Sequence, residues 1–148
     1  MNRTYDIVII GAGSVGVPAA LELASRGRKV LVLEAESAPS QANNKKAIGG
    51  VRATHSDFGK ISVCQRSIQI MSSWQERFGD DIGWMSNGYS YPAYTAEDEK
   101  TLKDLMRVQL GFGLNIRWIS PQEYNELVPG INMDGLRGST YSPEDGSC

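Results

Sequence analysis

The 148 residues carry 15 basic and 17 acidic side chains, a net charge of -2, so no basic stripe exists to neutralise nucleic-acid phosphates. With 41% apolar residues the chain can bury a core, yet no apolar stretch approaches membrane-spanning length and no signal-peptide core opens it; a cytoplasmic protein is the expectation. Two cysteines, Cys64 and Cys148, and a single histidine, His55, cannot assemble a metal-ligand cluster.

The apolar run Ile7-Val8-Ile9-Ile10 predicts a strand, and Gly11-Ala12-Gly13-Ser14-Val15-Gly16 follows it directly into a predicted helix. In that setting each glycine has a task. Gly11 permits the sharp turn, Gly13 leaves room for a pyrophosphate, and Gly16 allows close helix-strand packing. The first free N–H groups of the helix, near Ser14, Val15 and Gly16, are suited to an anion. Pro18 sits early enough in the helix for its missing N–H to cost little, and Gly27 is expected to end it. Val30-Leu31-Val32-Leu33 reads as a buried parallel strand that stops at Glu34, 18 residues after Gly16 (34 minus 16). A carboxylate at that offset accepts hydrogen bonds from ribose hydroxyls and repels a 2′-phosphate, which leaves FAD or NAD as the dinucleotide.

From Ala35 through Val51-Arg52 the sequence reads as a long functional loop rather than a strand. Phe58, Ile61, Cys64, Ile68, Met71, Trp74 and Phe78 then recur at helical spacing, predicting one amphipathic helix from Asp57 to about Gly79, with Cys64 as a small buried hydrophobe. The aromatic stretch from Ile82 to Tyr94 contains the turn signal Asn87-Gly88 and predicts a hairpin. Thr95 to Asp98 forms a capping-box pattern ahead of a helix carrying Leu102, Leu105, Met106 and Leu110. Asn115 to Ile119 predicts a strand, and Ser120-Pro121 opens a second box in which Glu123 reaches back. Ser139 to Tyr141 returns toward the turn Ser142-Pro143-Glu144-Asp145-Gly146. The expected class is α/β: a Rossmann-like βαβ unit over residues 1–80, a partial α+β substrate or cap lobe over 81–134, and a return segment over 135–148. No third parallel strand is legible, so part of the sheet is expected from elsewhere.

The N-terminal unit, the Gly49-Gly50-Val51-Arg52 loop, Ser120-Pro121-x-Glu123 and Tyr141 to Gly146 together resemble the FAD-dependent oxidoreductases of the D-amino-acid oxidase type. The sarcosine oxidase β-subunit-like and glycine-oxidase-like members resemble the chain over essentially its whole length. The resemblance implies oxidation of a C–N bond of an amino acid or N-methyl amino acid, with FAD as hydride acceptor. It also implies that Gly11, Gly13, Ser14, Val15 and Gly16 hold the pyrophosphate, Glu34 the ribose, and Ala35 adds backbone contacts. Asn44, Lys45 and Lys46 fall where the loop passes the phosphates and adenosine, and Ile48, Gly49 and Gly50 where backbone approaches the isoalloxazine. Members are longer, which implies that the rest of the polypeptide or a partner subunit completes the site.

Arg52 is the candidate catalytic residue: a guanidinium there could steady a substrate carboxylate or the negative charge of the reduced ring, or instead bridge a phosphate or carboxylate structurally. His55, beside the helix start, suits a structural hydrogen bond better than acid-base work. Tyr89, Tyr91 and Tyr94 could line a pocket, although strand aromatics are more often packing. The alternatives are a non-catalytic nucleotide-binding or assembly subunit and, third, an NAD-dependent dehydrogenase fragment.

Overall fold

In a computed structural model that describes residues 4–148, β1 (Ile7–Ile10) lies parallel to β2 (Val30–Leu33), with Ile7 opposite Val30 and Ile10 opposite Leu33. The crossover is α1 (Gly16–Ser25), which begins at the last glycine of the motif. Gly27, at φ +78°, ends it: the amides of Gly27 and Arg28 bond back to the carbonyls of Ala24 and Leu23, satisfying the terminal acceptors. By its contacts the chain divides into a unit ending at Ile48 and a second comprising Gly49–Cys148.

The second unit is α+β. Its three-stranded antiparallel sheet has the order β4 (Tyr89–Ala93), β6 (Gly138–Ser142), β5 (Arg117–Ile119). A separate two-residue pairing joins β3 (Gly50–Val51) to β7 (Gly146–Ser147). Four helices accompany them: α2 (Phe58–Ser72), α3 (Trp74–Phe78), α4 (Ala96–Gly111) and α5 (Pro121–Leu127). Ala53, Ile68, Leu114 and Ile116 form one core, with Cys64 packed against it; Ile119, Tyr124 and Leu136 form another.

Four local expectations change. Gly50–Val51 is a short strand rather than loop, because Gly146–Ser147 supplies its backbone partners. The helix expected over 57–79 is interrupted at Ser73, which leaves helical geometry at φ -99°, ψ 7° between α2 and α3, its hydroxyl donating to the Gln69 carbonyl at 2.7 Å. Asn87-Gly88 does not make a hairpin: Gly88, at φ +77°, turns the chain into β4, whose partner is the distant β6, with Tyr89 opposite Ser142. Ser120 caps α5 through the Glu123 amide, but the Glu123 carboxylate goes instead to Arg117 at 2.6 Å. The Thr95 box forms with both of its bonds.

Candidate functional site

Gly11 has φ +97°, a conformation that favours glycine, and a Cβ at Gly16 would overlap the Gly11 carbonyl oxygen. A Cβ at Gly13 would meet nothing, so the side of the loop facing a ligand is open. Among the described residues the amides of Gly13, Ser14, Val15 and Gly16 donate to no backbone or side-chain acceptor, while the Val17 amide already bonds the Gly13 carbonyl. Four free donors beside an unfilled cradle suit an anionic diphosphate.

Glu34 closes the other side. Its Oε2 accepts the Ala12 amide at 2.6 Å and its Oε1 the Glu36 amide at 3.0 Å. The Glu36 bond first, then those from Ala12 and Ala35, holds the acid below its ordinary range, so it stays a charged acceptor at the mouth of the glycine loop. Ser40, in left-handed backbone at φ +62°, donates its amide to the Ala12 carbonyl at 3.0 Å and folds the following loop against the motif. Asn44, Lys45 and Lys46 form an exposed 3₁₀ turn; Lys45 donates to Gln41, and no hydrogen bond among the described residues joins the three to the glycine loop. Ile48 is fully exposed.

In the second unit Gly49, at φ +77°, approaches the last residue so closely that a Cβ would overlap the Cys148 carbonyl; beside Gly50 the space is open. Arg52 donates to the Thr54 carbonyl at 2.9 Å, and its guanidinium carbon lies 5.4 Å from the Tyr89 ring centre and 5.6 Å from that of Tyr91. Those rings stand 5.4 Å apart on one face of β4. No ion pair joins Arg52 to a carboxylate among the described residues, so part of its donor fork remains available. Tyr94 is not in this group: its hydroxyl donates to the Asn132 carbonyl at 2.9 Å. His55 serves structurally through its backbone, its carbonyl accepting from Gln109.

Sequence reasoning missed Asp145, read only as a turn residue. It is fully buried; Oδ1 accepts the Ala53 amide at 2.9 Å, the Thr54 and Ser142 hydroxyls lie beside the carboxyl, and Oδ2 has no hydrogen-bond partner among the described residues. Burial outweighs these contacts and nearby Arg52, and pushes the acid up from its ordinary value. The Asp-Gly dipeptide signals a turn, but only a contact with a residue 92 positions away makes the acid internal.

The family model described as FAD dependent oxidoreductase matches residues 6–148. The chain belongs to the FAD-dependent oxidoreductases. FAD is accordingly the cofactor of this family, and the NAD alternative is set aside. Among relatives of the chain, the glycine oxidase of Geobacillus kaustophilus is 28% identical over 99% of the chain, and the mitochondrial sarcosine dehydrogenase of Mus musculus 27% identical over 99%. The chain spans 40% of the former and 16% of the latter. The crystal structure of L-proline dehydrogenase from P. horikoshii superposes with a TM-score of 0.92 at 30% identity, covering all of this chain and 39% of that one.

Proposed function

We propose that this chain is the N-terminal portion of an enzyme that oxidises the C–N bond of a small amino acid or N-methyl amino acid. In this reading Gly11, Gly13, Ser14, Val15 and Gly16 hold the pyrophosphate of FAD, Glu34 the ribose, and the Ala35 backbone lies beside it. Asn44, Lys45 and Lys46 pass the phosphates and adenosine, and Ile48, Gly49 and Gly50 bring backbone to the flavin ring. When bound, FAD supplies the hydride acceptor. Arg52 binds the substrate carboxylate and orients the carbon that loses the hydride.

The observation that carries this reading is Arg52 itself: a guanidinium held by the Thr54 carbonyl and two tyrosine rings, with donors left over and no carboxylate paired to it among the described residues. The names of the relatives, which act on glycine, sarcosine and proline, support the substrate class. Division of labour follows residues 1–80 for the cofactor, 81–134 for the substrate lobe and 135–148 for the return. The remainder of the polypeptide or a partner subunit completes the sheet, which the 88% exposure of Ile10 supports. A cytoplasmic setting fits the free thiols of Cys64 and Cys148.

The test is anaerobic addition of sarcosine, glycine or L-proline to the flavin-loaded protein that contains this chain. One of the three is expected to bleach the visible flavin absorbance. No bleaching with any of them overturns this substrate class.

A further inference from the structure

Arg52 is bracketed by two backbone attachments that lead to the same short turn. On one side Val51 pairs with Gly146 in the β3–β7 ladder; on the other the Ala53 amide donates to Asp145 Oδ1 at 2.9 Å. The Asp145 carbonyl in turn accepts the Gly88 amide at 2.8 Å, immediately before Tyr89. One buried residue therefore touches both segments that build the frame around the guanidinium: its side chain holds the arginine's neighbour, and its main chain holds the start of the tyrosine strand. Packing leaves this turn little latitude, since a Cβ at Gly146 would overlap the Met85 carbonyl.

Resting on the reading of Arg52 given above, we infer that Asp145 is a positioning residue for substrate recognition, setting the Arg52 guanidinium against Tyr89 and Tyr91 so that its free donors meet a carboxylate. The side chain acts through shape and acceptance at Oδ1, not by touching substrate. Asparagine retains that acceptor and offers an amide toward the Thr54 and Ser142 hydroxyls; leucine of similar size offers neither. Misplacing a binding group by a fraction of its contact distance is enough to lose orientation.

The experiment uses the flavin-loaded protein containing this chain and compares wild type, Asp145→Asn, Asp145→Leu, Asp145→Ser and Arg52→Gln. Flavin absorbance reads anaerobic binding of L-proline against L-prolinamide, and glycine against glycinamide. Peptide mass spectrometry reads the rate at which phenylglyoxal modifies Arg52. Asp145→Leu is expected to lower the preference for acid over amide by about tenfold or more and to speed modification of Arg52; Asp145→Asn is expected to restore both to near wild type. If Asp145→Leu does not retain flavin, Asp145→Ser carries the same expectation. A flavin-loaded Leu or Ser variant with unchanged Arg52 reactivity and acid preference overturns the inference, as does loss of preference in Asp145→Asn. An Arg52→Gln variant that still prefers the acid overturns the reading of Arg52 instead, and the modification rates then decide the placement role of Asp145 by themselves.

Discussion

In α1 no residue is buried, and Ile10 of β1 is 88% exposed, whereas Ile119 of β5 is 1% exposed between α5 and β6. The unit ending at Ile48 owes its shape to backbone geometry: a positive-φ glycine, a helix-strand approach that only glycine permits, and one carboxylate tied to two amides. The unit Gly49–Cys148 owes its shape to side chains that meet from distant segments. The comparison teaches that the glycine turn is specified by local backbone geometry, whereas the frame around Arg52 is specified only by contacts between distant segments.

The largest expected effect falls on the first unit. Gly16→Ala forces a Cβ into the Gly11 carbonyl, and FAD affinity is expected to fall by about 100-fold, measured by flavin retention on gel filtration. Retained affinity would show that the loop adapts and that the local account is wrong. The second unit is next. Ile119→Ala is expected to cost about 3 kcal/mol in urea unfolding, since it empties a filled core, while Ile10→Ala in the same 148-residue chain is expected to change stability by less than about 0.5 kcal/mol. Equal costs would erase the contrast.

The two acids sharpen it through opposite pH behaviour. Glu34 is lowered, so its contribution is complete above the ordinary value of 4.5 and disappears as pH falls through the lowered one; Glu34→Gln removes that acid limb. Asp145 is raised, so the folded state holds its proton more tightly. Stability therefore declines as pH rises from the ordinary value of 3.8 through the raised one, and is flat above; Asp145→Asn abolishes this decline. Unfolding midpoints across an acid pH series read both. The smallest effect belongs to the surface of α4, where Lys100 pairs with Asp104 at 3.1 Å in water: Lys100→Ala is expected to change stability by less than about 0.5 kcal/mol by the same urea measurement.

Glu34 and the glycines were legible because their partners are near in sequence or dictated by the strand-helix-strand crossover. The Thr95 box formed as read for the same reason, since all its atoms lie within one turn. Asn87-Gly88 misled: a turn signal states that the chain bends, not which strand it will meet, and β6 won the pairing over any local hairpin. Ser73 interrupts a helix that apolar spacing alone made continuous, because spacing reports which face is apolar and not where the backbone leaves helical geometry. Glu123 had a choice between its own helix start and Arg117, and the ion pair across α5 and β5 prevailed.

By itself the sequence determined the β1–glycine turn–α1–β2 order, the place of Glu34 at the end of β2 and the helix starts at Thr95 and Ser120, since these depend on φ angles, missing side chains and contacts a few residues long. Tertiary structure alone decided that Gly50–Val51 becomes a strand, that two tyrosines frame Arg52, and that Asp145 is internal. Each of those rests on a hydrogen bond or ring contact between residues dozens of positions apart, where burial rather than residue type sets what an acid or a guanidinium can do.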